Sequence, residues 1–124
     1  MLSKQVFLVV GTDTGVGKTV FTGLFARYLM DEGDGVRAVK PFCSGGKADI
    51  EFLQAAQSGL AQEDLNFWYS DEPISPAAWE LRHGQAVDFD GCMAWIQQKG
   101  AEAGVLLVEG VGGLLAPLAK GKTV

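Results

Sequence analysis

Apolar residues recur along this chain in two periods, and the switching between them lays out its elements. Val6-Phe7-Leu8-Val9-Val10 is an uninterrupted apolar run, too short for a helix and rich in β-branched residues. It reads as a parallel strand buried on both faces. From Val20 to Met30 the spacing becomes helical, with Phe21, Leu24, Phe25, Tyr28 and Leu29 on one stripe expected to pack on the sheet. Gly33 and Gly35 stop that helix, and Val36 to Val39 is short enough to be a second strand. Two strands joined by one helix make a right-handed βαβ unit, so Lys40 falls at a carboxyl edge, where such sheets bind ligands.

The pattern continues with a short helix over Ala48 to Gln57, with Ile50, Phe52, Leu53 and Ala56 inward and Asp49 in its first turn. Gln62 to Pro76 is polar and aromatic with no sustained period, which predicts a long surface connection. Pro76 to Leu81 makes a brief helix stopped at Gly84, and Asp88 to Lys99 a longer one with Phe89, Cys92, Trp95 and Ile96 inward. Val105 to Val108 is a third buried strand, ending at Glu109 on the ligand edge before the glycine turn Gly110 to Gly113. The alternation predicts an α/β fold: a parallel sheet with flanking helices, in a single domain over residues 1–124.

Between the first strand and first helix lies Gly11-Thr12-Asp13-Thr14-Gly15-Val16-Gly17-Lys18-Thr19. A glycine-rich turn in this position aims backbone N–H groups and a helix N-terminus at one point, where a phosphate is favoured. Lys18 adds a full charge beside the β- and γ-phosphates, and the Thr19 hydroxyl is placed to ligate Mg²⁺. The spacing departs from the usual phosphate-loop pattern, because five residues rather than four separate Gly11 from Gly17. The bland alternative is a glycine turn without a ligand. Gly-Lys-Thr opening a helix after an apolar strand favours the phosphate loop, and with it a P-loop NTPase-like sheet.

Composition narrows the partners. The chain has 124 residues, 48% of them hydrophobic, and a formal net charge of -5, enough for one real core and of the wrong sign for tracking nucleic acid. Cys43 and Cys92 show no paired Cys or His spacing, so neither a zinc site nor a disulfide framework is expected. Met1-Leu2-Ser3-Lys4 runs into the first strand without a signal peptide's apolar stretch, and no segment reaches membrane-spanning length. The expectation is a cytoplasmic protein with reduced thiols.

Candidate chemistry gathers at the carboxyl edge. Glu109 ends a strand where a nucleotide-bound Mg²⁺ finds a protein anchor, or alternatively caps and solvates a loop. Asp49, in the first turn of its helix, suits the helix dipole and reads as a helix cap. Lys40 and Glu109 carry their polar heads at the ligand edge and not within an apolar stripe, so both are expected to serve chemistry more than folding. Thr14 and Ser44 offer short hydroxyls there, although both also suit turns. His83, the one histidine, reads as a surface residue, Cys43 as a small loop filler, and Trp68, Trp79 and Trp95 as packing residues.

The opening motif Gly11 to Thr19 closely resembles that of dethiobiotin synthetases. Val39-Lys40-Pro41-Phe42-Cys43-Ser44-Gly45 is similar to that family's second-strand lysine and substrate serine, Val108-Glu109-Gly110-Val111-Gly112-Gly113 to its acidic magnesium motif, and Ser75-Pro76 to a third segment. The motifs occur in family order over essentially the whole chain, whereas family members run to nearly twice this length. The resemblance implies ATP as substrate and Mg²⁺ as cofactor. It places nucleotide on Gly15, Val16, Gly17, Lys18, Thr19, Val20, Asp49, Glu109, Gly110, Val111 and Gly112, and the metal on Thr19, Asp49 and Glu109. Lys40 becomes the catalytic-loop lysine beside Lys18, and Thr14 and Ser44 the substrate contacts. The family joins CO₂ to an amine of 7,8-diaminononanoate, phosphorylates the carbamate and closes a ureido ring, as a homodimer. The ATP-binding part of a cobyrinate or cobyrate amidating synthetase has a similar loop, but appends a glutaminase domain for which this chain has no room. A nucleotide-dependent partitioning switch commonly carries a second lysine early in its loop, and Gly11 to Val16 holds none. Without the family's later strands the sheet is expected to be incomplete at its carboxyl-terminal end, leaving an open edge and uncovering Val105 to Val108 and Leu114-Leu115.

Overall fold

A computed structural model of the chain describes residues 4–12, 15, 17–113, 117–119 and 122–123. Its elements in order are β1 (Gln5–Val9), α1 (Lys18–Asp31), β2 (Val36–Val39), β3 (Phe42–Ser44), α2 (Ala48–Ala56), α3 (Gln62–Leu65), β4 (Trp68–Ser70), α4 (Pro76–His83), α5 (Phe89–Glu102), β5 (Val105–Glu109), β6 (Pro117–Ala119) and β7 (Lys122–Thr123). β1, β5 and β2 form a parallel sheet in that spatial order. β3 pairs with β4 in parallel, and β6 with β7 antiparallel. No helix among the described residues is long and apolar enough to cross a membrane.

The strand order corrects two expectations. β5 inserts between β1 and β2, so Val105 to Val108, expected to be uncovered, are instead buried at the centre of the sheet, none more than 7% exposed. Among the described residues the open edge falls on β1, where Val6 is 63% exposed and Leu8 59% while Phe7 and Val9 turn toward shelter, so this strand is not buried on both faces as expected. Leu114 and Leu115 lie outside the described residues. The stripe on α1 also differs, since Thr22, Gly23, Ala26 and Leu29 are buried while Phe21, Leu24 and Tyr28 are more than half exposed. Small residues decide that rotation. A Cβ on Gly23 would stand 2.5 Å from the Phe52 ring, so the missing side chain lets α2 lie close against α1. Phe52 is consequently 39% exposed, lying over α1 and not beneath it.

β2 has a second edge, away from β5, and residues outside the sheet complete its hydrogen bonds. Gln57, just past α2, accepts from Ala38 N at 2.8 Å and donates to Ala38 O at 2.9 Å. One strand step on, Lys40 N donates to Leu65 O at 2.7 Å, and Asn66 Nδ2 donates to Lys40 O at 2.8 Å. The segment expected to be a bare surface connection therefore holds α3 and β4. β4 reads weakly in sequence because it is three residues long and its register with β3, Phe42 opposite Trp68, is set by a partner far off in the chain.

Two apolar clusters result. One gathers Leu29, Val39, Ile50, Leu53, Leu65 and Val105 to Val108 of β5; the other gathers Phe42, Val87, Cys92, Val111 and Leu118 with Trp68, Trp79 and Phe89 packed against it. α4 and α5 begin as their sequences predict: Ser75 Oγ accepts from Ala78 N ahead of Pro76, and the Asp88 carboxylate accepts from Gly91 N. Gly84 ends α4 at φ 65°, a conformation suited to glycine.

Candidate functional site

The carboxyl ends of β1, β2 and β5 converge on a cavity of about 600 Å³. Parallel pairing brings this about, because it puts Val9 level with Glu109 and Val39 level with Val108, so each chain leaves the sheet at the same height. Gly15, Gly17, Lys18, Thr19 and Val20 line it from the first turn, Lys40, Ser44 and Asp49 from the second, and Glu109, Val111 and Gly112 from the third. Gly110 does not line it; its N–H donates to Val9 O, and it borders a separate apolar groove. Thr14 and Val16 lie outside the described residues.

Within the cavity the charged groups hold one another. Thr19 Oγ1 donates to Glu109 Oε1 at 2.5 Å, Lys40 Nζ lies 3.7 Å from the same oxygen, and Lys40 Nζ donates to Asp49 Oδ2 at 2.7 Å. Lys18 Nζ donates to Gly112 O at 2.5 Å, tying the first turn to the third. Lys40 is 5% exposed and Glu109 1%, so the strand-end groups expected at an open ligand edge are embedded in the protein. At that burial Glu109 does not solvate a loop, and its carboxylate accepts from the Thr19 hydroxyl. Asp49 is no cap either: Lys47 occupies that position of α2, no side chain caps it, and the Asp49 carboxylate goes to Lys40.

Electrostatics follow from this embedding. Burial is the largest influence on Lys40 and opposes its charge, but Glu109 and Asp49 outweigh it and hold the ammonium above its usual pKa. Burial also leads for Asp49, pushing it up, yet the bond and charge of Lys40, then Thr19 and Lys18, bring it below the usual carboxylate range. Glu109 moves the other way, because burial pushes it up and Lys40, Thr19 and Lys18 recover only part. Its Oε2 is buried with no hydrogen-bond partner. A buried carboxylate oxygen without a donor is costly, and a hard cation is one group that would satisfy it. Glu109, Asp49 and the Thr19 hydroxyl are all oxygen donors of the kind Mg²⁺ takes, and a nucleotide-bound ion completes its shell from phosphate and water. Among the described residues no three His, Cys, Asp or Glu side chains cluster as a protein-only metal cage.

Cys43 is not a loop filler but part of β3, buried beside this cluster, and burial pushes its thiol up to about 11, which leaves it a poor nucleophile. His83 is on the surface as expected, paired with Glu72. Sequence reasoning missed the wall of the cavity opposite the lysines, Pro73-Ile74-Ser75, of which only the Ser-Pro step carried a signal. It also missed Asn66 and Gln57, whose side-chain amides hold the strand that ends in Lys40.

Comparison with known proteins agrees with this geometry. A family model described as an AAA domain matches residues 5–124. The ATP-dependent dethiobiotin synthetase BioD of Corynebacterium glutamicum (strain R) is 36% identical over 120 residues, covering 94% of this chain and 52% of the relative. The protein of the same name from Bacillus velezensis is 34% identical over 120 residues, 90% of this chain and 51% of its own length, and that from Hydrogenobaculum sp. 30% over 116 residues, 92% and 52%. The chain thus spans about half the length of the curated relatives it matches. With a Gly-Lys-Thr turn, a parallel sheet and a strand-end carboxylate meeting in one cavity, the chain belongs to the AAA domain family, and within it resembles the dethiobiotin synthetases.

Proposed function

We propose that these residues form the phosphate- and carbamate-handling half of an ATP- and Mg²⁺-dependent dethiobiotin synthetase, a cytoplasmic homodimer when whole. The observation that carries the reading is the linked series Thr19–Glu109–Lys40–Asp49 beside Lys18, two cations and two carboxylates at the end of a parallel sheet. An amine of 7,8-diaminononanoate attacks CO₂ and loses a proton, giving a carbamate; a carbamate oxygen attacks the γ-phosphorus and ADP leaves; the second amine attacks the carbonyl carbon and phosphate leaves. Every intermediate is anionic. Lys18 meets the β- and γ-phosphates, moving from Gly112 O to do so, while the glycine turn of Gly15 and Gly17 offers N–H groups to the same anion. Lys40 is a fixed cation, already desolvated and oriented, for charge that grows on the transferring phosphoryl group and the carbamate oxygens. Thr19, Asp49 and Glu109 would hold Mg²⁺, which neutralises phosphate charge when bound. Ser44, and Thr14 by resemblance, contact the acceptor.

The test is calorimetry of Mg²⁺–ATP binding to the unsubstituted protein and to Lys18→Ala. Binding is expected in the first and abolished in the second, and equal affinity in both would remove the assignment. Ring closure from diaminononanoate, bicarbonate and ATP, assayed in the natural full-length protein, then tests the reaction itself.

A further inference from the structure

The wall formed by Pro73, Ile74 and Ser75 carries no charge, yet a charged group at one end and a helix cap at the other hold it in position. Glu72, immediately before the wall, is paired with both Arg82 and His83 in the last turn of α4. Ser75, at its other end, caps the first turn of the same helix. The wall is therefore a short loop closed against α4 at both ends. α4 is itself fixed: Trp79 packs edge-on against Trp68 with ring centres 5.6 Å apart, Trp68 packs on Phe42 at 6.2 Å, and His83 lies over Trp79 at 4.6 Å. This aromatic series anchors the helix to β3 and β4. On the cavity side Pro73 sits over Gly45, where an added Cβ would be 3.1 Å from the proline ring, and Gly45 N donates to Ser70 O at 2.9 Å. Gly45 follows Ser44, so the distance between the wall and the acceptor side of the cavity is set where Pro73 meets Gly45. Arg82 first, then His83, holds the Glu72 carboxyl below the usual range, so it is ionised at neutral pH and pairs with Arg82 whether or not His83 is protonated.

We infer that Glu72 is a positioning residue: paired with Arg82 and His83, it staples the 73–75 wall to α4 and thereby sets the fit of the acceptor substrate, not of the nucleotide. This rests on the reading of the cavity as an acceptor site. Substrate binding geometry is sensitive to shifts of about 1 Å, and such a misplacement costs on the order of 10²-fold in rate at its most severe. A loosened wall on the surface is a milder case.

The experiment compares Glu72→Gln and Glu72→Ala with the unsubstituted natural full-length protein. Glu72→Ala is expected to raise KM for the diamine about 5–20-fold, with KM for ATP and the thermal midpoint unchanged, and Glu72→Gln, which keeps an acceptor for Arg82, to lie between. Hydrogen exchange at residues 71–75 should quicken in the same order. Unchanged diamine KM in Glu72→Ala overturns the proposal even if exchange quickens, because that is what a purely structural tie would give. Equal rises in both KM values overturn it too. If the unsubstituted protein turns over no diamine, the reading of the cavity fails and the assignment of this wall to an acceptor fails with it, while unaltered exchange in Glu72→Ala overturns the staple independently.

Discussion

Lys40→Ala tests the buried charge cluster most directly, because the sequence pattern and the structure lead to opposite expectations for it. A lysine head at an open ligand edge could be removed with little effect on folding. In the structure its removal leaves the Glu109 carboxylate, 0% exposed in its side chain, without its nearest cation. Asp49, 47% exposed, can turn back to water; Glu109 cannot. Removing one partner of a buried ion pair costs about 3–5 kcal/mol, a large part of the roughly 5–15 kcal/mol that holds a domain together. Because Thr19 still donates to Glu109, the lower end applies. With a urea m-value of about 2 kcal/mol/M, a loss of about 3 kcal/mol moves the unfolding midpoint by about 1.5 M. The double substitution Lys40→Met with Glu109→Gln removes both charges and should recover most of it. The loss should also shrink as pH falls, since a protonated Glu109 needs no cation. A midpoint for Lys40→Ala within about 0.3 M of the unsubstituted protein, or a double variant as unstable as the single one, would refute the reasoning.

Other expectations follow from the same coordinates. Glu109→Gln should stabilise the ligand-free protein at pH 7, because it removes a charge that burial disfavours while Lys40 retains Asp49 at 2.7 Å. A carboxyl whose folded pKa is raised contributes stability below its unfolded pKa that is lost as pH rises through the folded one, so the advantage of Glu109→Gln should vanish in thermal scans at acid pH; a lower midpoint at pH 7 would contradict this. Gly23→Ala should cost about 1–3 kcal/mol through its clash with the Phe52 ring, and pairing it with Phe52→Ala should cost less than the separate losses added together, as a double-mutant cycle in urea would show. Leu8→Lys with Leu24→Lys, at positions 59% and 62% exposed, should leave the thermal midpoint essentially unchanged, and a clearly lowered midpoint would show that these side chains are packed.

What could be read from the sequence divides along physical lines. β5, α5 and the Gly84 stop of α4 were legible because period, length and turn chemistry are local properties. Strand order is not local: nothing within Val6 to Val10 or Val105 to Val108 says which of them will have two neighbours, so the pattern alone suggests a doubly buried β1 and an uncovered β5, the reverse of their places in the sheet. The α1 stripe misled for a related reason, since large apolar residues mark a face only when the partner leaves room for them, and Gly23 and Ala26 admit a closer one. At the site, Lys18, Thr19, Lys40 and Glu109 could be named because strand ends and a glycine turn fix where charges meet, whereas Asp49, in the first turn of α2, was legible only through the family resemblance. Their burial could not, and neither could the uncharged wall or the amides of Gln57 and Asn66, whose role depends on residues distant in the chain.

The amides on β2 have a consequence for assembly. Ala38 and Lys40 turn N–H and C=O groups away from β5, and Gln57, Leu65 and Asn66 bond them. A strand adding there would first have to displace these bonds, whereas among the described residues β1 pairs on one side only. Among those residues the sheet is therefore guarded at β2 and available at β1, so a further strand meets less resistance in one direction than in the other.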